Sequence, residues 1–111
     1  MVGSISREEL RKRIEDGDDI TVVEALGPNY FEEAHLPGAK NLPHDQVEEL
    51  AAEILPDKSA MVVVYCSNTA CQNSTVASQQ LAEIGYTKVV EYVEGKQDWI
   101  DAGLPVEHGS T

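Results

Sequence analysis

The spacing of apolar positions changes from segment to segment along the chain, and each spacing predicts an element. At the start, Ile5 and Leu10 occupy hydrophobic-staple positions around Ser6, and Glu9 completes a capping box three residues on, so a first helix opens there. Gly17 supplies its stop. Ile20 to Ala25 is a short aliphatic strand, broken by Gly27, Pro28 and Asn29, and Asn29 to Ala34 has room for one helical turn. His35 to Pro43 is bounded by prolines and contains Gly38, which predicts a fixed extended connection. Asp45 and Glu48 then resemble a second capping pair. They precede Val47, Leu50, Ala51 and Ile54, the i, i+3, i+4, i+7 stripe of a core-facing helix that Pro56 and Asp57-Lys58-Ser59 end.

The pattern then becomes continuous. Ala60 to Tyr65 is apolar without alternation, as expected for a central strand covered on both faces of a parallel sheet. From Cys66 to Asn73 the only aliphatic residue is Ala70, and a helix with Ala77, Leu81 and Ile84 on one side follows, ended by Gly85. Lys88 to Val93 reads as the last strand, Gly95 precedes a short helix around Gln97 to Ala102, and Gly103 to Val106 closes a core of about residues 5–107. His108 to Thr111 is expected to fray. Strands alternating with helices, without repeats or low-complexity tracts, predict one α/β domain spanning residues 1–111.

Charge narrows the partners. Twenty Asp and Glu against eight Lys and Arg give a formal net charge of -12, which repels phosphate backbones and anionic lipid surfaces, so neither nucleic acid nor membrane is expected as a partner. The longest apolar run is far below the ~20 residues of a spanning helix, and residues 1–15 lack the apolar stretch of a secretory signal. The expected location is cytoplasmic. Half of the cations, Arg7, Arg11, Lys12 and Arg13, fall among Glu8, Glu9 and Glu15, and read as a solvated, partly self-paired helix face. Nothing in the pattern specifies an oligomeric state.

Two cysteines in a chain without a visible signal suggest free thiols in a reducing compartment. A bridge between Cys66 and Cys71 would close a very short loop, so a structural disulfide is the weaker expectation. Cys66 stands at the carboxyl end of the central strand, where open α/β sheets bind ligands, at the head of a polar loop that opens a helix. Loop N–H groups and the helix dipole both favour a thiolate there, which makes Cys66 a candidate nucleophile. Position alone equally allows a small buried hydrophobe. Cys71 is either a packing residue at the helix base or a resolving thiol for an oxidised or persulfidated Cys66. No metal site is expected, because Cys66, Cys71, His35 and His44 form no paired Cys-x2-Cys knuckle.

His35-Leu36-Pro37-Gly38-Ala39-Lys40-Asn41-Leu42-Pro43, the strand ending in Tyr65-Cys66, Gly85-Tyr86, and Gly95, Trp99 and Ala102 to Val106 together resemble, in order and spacing, the signature of rhodanese-like domains. The resemblance implies a three-layer α/β fold, a central parallel sheet flanked by helices. It also implies a sulfurtransferase in which Cys66 takes the outer sulfur of a donor such as thiosulfate as a persulfide and passes it to cyanide, a thiol or a protein acceptor. Ser67, Asn68, Thr69, Ala70, Cys71, Gln72, Asn73 and Ser74 would then form the substrate-binding loop, and no cofactor is implied. His35 would have a structural role in its turn, and Tyr92 and Trp99 would pack.

Three departures shape the expected activity. Glu24 and Leu26 stand where many single-domain members carry Asp and Arg, so Glu24 requires another partner. The eight residues from Cys66 to Asn73 make a longer loop than the family's usual one. That loop contains no Arg or Lys, so backbone amides must hold a dianionic donor, and weak thiosulfate turnover is expected. The missing loop Arg also argues against phosphatase chemistry. A noncatalytic or redox-sensing module using Cys66 and Cys71 is the alternative.

Overall fold

A computed structural model describes residues 3–17 and 19–109. Five parallel strands, β1 (Gly3–Ser4), β2 (Ile20–Glu24), β3 (Lys40–Asn41), β4 (Met61–Tyr65) and β5 (Lys88–Tyr92), form one sheet in the order β1-β5-β4-β2-β3. The helices are α1 (Arg7–Asp16), α2 (Pro28–Glu33), α3 (Val47–Ile54), α4 (Asn73–Glu83) and α5 (Gly95–Asp101). As the unbroken apolar run predicts, β4 is central. Its side chains alternate between two cores. Val62 and Val64 pack with Val23, Val47, Ala51, Ala77 and Leu81 of β2, α3 and α4. Val63 and Tyr65 pack with Val22, Leu10, Phe31 and Trp99 of β2, α1, α2 and α5. The result is a three-layer α/β arrangement with a covered sheet, the rhodanese-like fold class expected.

Local chemistry explains most boundaries. Ser6 accepts the Glu9 amide at 3.2 Å, and Gly17 ends α1 at φ 71°. The hydrogen bond from the Ala39 amide to Leu36 O closes a turn with Pro37 and Gly38 at its centre, where Gly38 takes φ 73°. Beyond that turn the expected extended connection pairs with β2 as β3, Val23 opposite Lys40 and Glu24 opposite Asn41. Strand β2 is assigned to Glu24 and not Ala25, although the Ala25 amide still reaches Tyr65 O at 2.9 Å.

Other expectations are corrected. The Asp45–Glu48 capping pair does not form, because a turn closed by the Gln46 amide on Pro43 O carries the chain one residue further and Gln46 caps α3 without a side-chain bond. Helix α4 opens at Asn73, one residue before Ser74. Helix α5 opens at Gly95 because the Lys96 and Gln97 amides find acceptors in the loop after β4. His108 and Gly109 are not frayed. The His108 ring lies 2.7 Å from Glu33 O and the Gly109 amide donates to Glu32 O; residues 110 and 111 lie outside the described residues. The basic face of α1 is partly self-paired, Arg11 to Glu15 and Arg13 to Glu9, but Arg7 instead reaches Asp98 of α5 at 3.0 Å. Among the described residues no helix is long and apolar enough to cross a membrane.

Candidate active site

Parallel register sets the floor of the site. Asn41, Glu24, Tyr65 and Tyr92 stand in one row at the carboxyl ends of β3, β2, β4 and β5, and Cys66 follows Tyr65 directly. Cys66 is buried, whereas Asn68, Thr69 and Ala70 are exposed and Ser67, Cys71 and Asn73 half-buried. The loop therefore rises from a covered Cys66 to an open rim. Ser67 Oγ lies 4.0 Å from Cys66 Sγ.

Three sets of contacts fix the loop. At its base, the Lys96 amide donates to Cys66 O at 2.8 Å and the Gln97 amide to Ser67 O at 2.7 Å, so the first turn of α5 holds both carbonyls. This approach requires Gly95. A Cβ there would stand 2.7 Å from Cys66 O, 2.9 Å from Asn68 N and 2.9 Å from Ser67 C, and its φ of +76° is in the left-handed region. At the helix end, Ser74 and Thr75 hydroxyls both donate to Glu91 Oε2, at 2.7 and 2.8 Å. Between these anchors, Asn68 Oδ1 accepts the Ala70 amide at 3.0 Å and Asn68 O accepts the Cys71 amide at 3.1 Å, which folds the rim back on itself.

That fold-back corrects the reading of the cysteines. Cys66 and Cys71 are joined by a disulfide, with Cα atoms 6.2 Å apart, so neither is a free thiol here and Cys71 is not a packing residue at the helix base. Sequence separation alone favoured free thiols because a short loop gains little from closure. The Asn68 turn brings the ends together by local hydrogen bonding.

Beneath the loop, Glu24 is fully buried. The Tyr65 hydroxyl donates to Glu24 Oε1 at 2.6 Å and itself accepts the Leu36 amide at 3.1 Å. Lys96 Nζ stands 3.2 Å from the Glu24 carboxylate, and reaches Tyr30 O at 3.0 Å and Ala34 O at 2.7 Å. Lys96 is thus the partner that Glu24 required. Burial raises the Glu24 carboxyl above its ordinary pKa, against the Tyr65 hydrogen bond and the Lys96 charge. Burial, followed by the Glu24 charge, also raises the Tyr65 phenol. An ammonium has three N–H donors, and these three acceptors use them, so Lys96 supports the floor of the site. Lys96, Gly95 and Glu91 were missed from the sequence as site residues. A buried acid at a strand end was the available signal for Lys96.

The remaining signature residues are structural. His35 is buried, stacked on Phe31 with ring centroids 3.8 Å apart, and its Nδ1 lies 2.8 Å from Phe31 O. Its backbone pairs with Glu107, tying the chain's closing segment to the Pro37-Gly38 turn. Tyr92 and Trp99 meet edge to face at 6.3 Å, the first donating to Asp98 and the second to Pro105 O. A groove of about 570 Å³ lined by Phe31, Gly38, Lys40, Ile54 and Glu107 includes no residue of the cysteine loop.

Comparison with known proteins shows the family and the fold. The chain is 31% identical over 107 residues to the HTH-type transcriptional regulator Rv0324 of Mycobacterium tuberculosis, covering 96% of this chain and 46% of that protein. It is 40% identical over 62 residues to the thiosulfate sulfurtransferase PspE of Escherichia coli, covering 56% and 58% of the two chains. It therefore spans about half the length of these curated relatives. The crystal structure of the BH2092 protein from Bacillus halodurans superposes with a TM-score of 0.89 at 26% identity, covering 97% of this chain and 78% of that one. With residues 6–102 matching the rhodanese-like domain model, and with the fold and signature segments in place, the chain belongs to the rhodanese-like domain family.

Proposed function

We propose that this domain is a sulfurtransferase that carries sulfane sulfur as a persulfide on Cys66. The observation that carries the reading is the placement of Cys66 directly after the central strand, with its carbonyl held by α5 and a loop leading into α4 ahead of it. The bond to Cys71 must first be reduced by a thiol or dithiol, which releases the Cys66 thiolate. The thiolate attacks the outer sulfur of thiosulfate, the S–S bond breaks, and sulfite leaves with the electron pair. A second thiolate, from a small thiol or a protein acceptor, then removes the sulfane sulfur and regenerates Cys66 in a ping-pong cycle. Loop amides between Ser67 and Ser74, other than those of Ala70 and Cys71 that donate to Asn68, would surround the persulfide. No cofactor takes part. The loop contains no cation and Lys96 is engaged below it, so a persulfide donor should outperform dianionic thiosulfate. The domain would act as one unit in the cytoplasm, and the relative named thiosulfate sulfurtransferase supports the reaction class.

The test is intact-mass spectrometry of the reduced protein after incubation with thiosulfate or with a low-molecular persulfide. With Cys71 replaced by serine so that the bridge cannot re-form, a single added sulfur that is absent when Cys66 is also replaced by serine is expected; no addition with either donor overturns the reading. The disulfide favours one second reading, a noncatalytic module that binds a partner or responds to oxidants, and the similarity to a transcriptional regulator supports it. Reversible bridging under mild peroxide without any sulfur uptake would select it.

A further inference from the structure

We infer that Cys71 consumes the Cys66 persulfide internally, so that the domain releases sulfide and takes two electrons from an external dithiol through the Cys66–Cys71 disulfide. This rests on the persulfide reading of Cys66 and specifies how the sulfane sulfur leaves it, as sulfide. In the reaction, the Cys71 thiolate attacks Sγ of Cys66, the Cys66 Sγ–sulfane bond breaks, and the sulfane sulfur leaves as HS⁻. The Cys71 proton goes to solvent. Two thiol sulfurs are oxidised to the disulfide and one sulfane sulfur is reduced to sulfide, so the step balances without another reactant. An external dithiol then reduces the disulfide and resets the loop.

Three independent features support the step. The disulfide itself establishes that Cys71 reaches Sγ of Cys66, the atom this reaction requires, and not merely the neighbourhood of the loop. The Asn68 turn returns Cys71 over the nucleophile through two hydrogen bonds, while the contacts at Cys66–Ser67 and Ser74–Thr75 hold the loop's ends. Exposure is also ordered suitably. Cys66 is 1% exposed, whereas Cys71 is half-buried beside three exposed rim residues, so a bulky protein acceptor meets the rim before the persulfide, but Cys71 is already inside. A thiol tethered by four intervening residues acts at an effective concentration of ~mM or more.

The test uses the full chain, reduced and freed of reductant, then given a low-molecular persulfide in stoichiometric amount. Wild type should release about one sulfide per chain and end as the disulfide, two hydrogens lighter by mass, with peptide mapping placing the bond at Cys66–Cys71. Cys71→Ser and Cys71→Ala should hold the added sulfur on Cys66 and release sulfide at least ~10-fold more slowly at ~0.1 mM external monothiol. Adding a dithiol should make wild type, and not the Cys71 variants, turn over through the bridged form. A wild type that keeps its persulfide as long as the Cys71 variants do overturns the inference while leaving Cys66 as a sulfur carrier. Cys71 variants that take up no sulfur although wild type and variants have the same circular dichroism overturn the carrier reading, and the inference with it.

Discussion

Gly95→Ala tests whether the floor of the cysteine loop is set by close packing of α5. Two costs add. An alanine at φ +76° pays ~1 kcal/mol for the left-handed backbone. Its Cβ would also stand 2.7–2.9 Å from three backbone atoms of Cys66, Ser67 and Asn68, and backbone cannot swing aside as a flexible side chain can. Relief requires α5 to retreat, which lengthens the Lys96 N–Cys66 O and Gln97 N–Ser67 O bonds, now 2.8 and 2.7 Å. Losing both adds ~2 kcal/mol, for a total of ~3 kcal/mol. At ~4 °C per kcal/mol in a domain of this size, Tm should fall by ~12 °C. Gly103→Ala is the matched control, with the same φ of +76° and nothing within 4 Å of the added Cβ, and should cost only the backbone share, ~4 °C. Calorimetric Tm values and the rate of persulfide loading check the comparison. Equal Tm losses in the two variants, or normal loading in Gly95→Ala, would refute the packing argument.

Other outcomes follow from the buried charges. Lys96→Met strands Glu24 in a dry site and should destabilise by ~3 kcal/mol at about pH 8, but less at about pH 5, where Glu24 can take a proton; urea unfolding at the two values measures it. Because burial raises the Glu24 pKa on folding, its contribution to stability is present in full below about pH 4.5 and is lost as pH rises through the raised folded value. Wild-type stability relative to Glu24→Gln should accordingly decline across that window, and a flat difference would contradict it. Glu91→Gln weakens the anchor of Ser74 and Thr75 and should cost ~1 kcal/mol, with faster hydrogen exchange at the start of α4 as the readout.

The fold was legible where spacing and caps carry it. The Ser6 cap, Gly17 stop, apolar β4 and the Val47–Ile54 stripe each follow from one local rule. Contacts between distant segments were not legible. Gly95 reads as a helix-edge glycine until the loop that touches it, some thirty residues earlier, is placed against it. Lys96 carries no local pattern distinguishing it from the other lysines, yet it is the cation that reaches buried Glu24. The disulfide failed for a related reason. Loop-closure entropy describes a flexible tether, whereas the Asn68 hydrogen bonds preorganise this one.

Acidity, which first excludes polyanionic partners, also shapes the chemistry of the loop. A site that must retain a dianionic donor would place a cation at its rim, but here the ammonium nearest in sequence to the loop's backing is spent on Glu24, Tyr30 O and Ala34 O. What the loop has instead is a second sulfur. If Cys66 carries a persulfide as proposed, a chain of net charge -12 would have little electrostatic hold on the HS⁻ that it expels. On the proposed mechanism, the same charge balance that would weaken capture of thiosulfate would favour departure of sulfide when Cys71 attacks. Introducing a rim cation by Thr69→Lys should move the two steps oppositely, raising the second-order rate of thiosulfate loading while slowing sulfide release per loaded chain. Both effects should shrink at high salt, where exposed charges are screened over a few ångströms. Parallel gains in both steps would mean that the rim charge acts on a shared conformational step and not on the two anions.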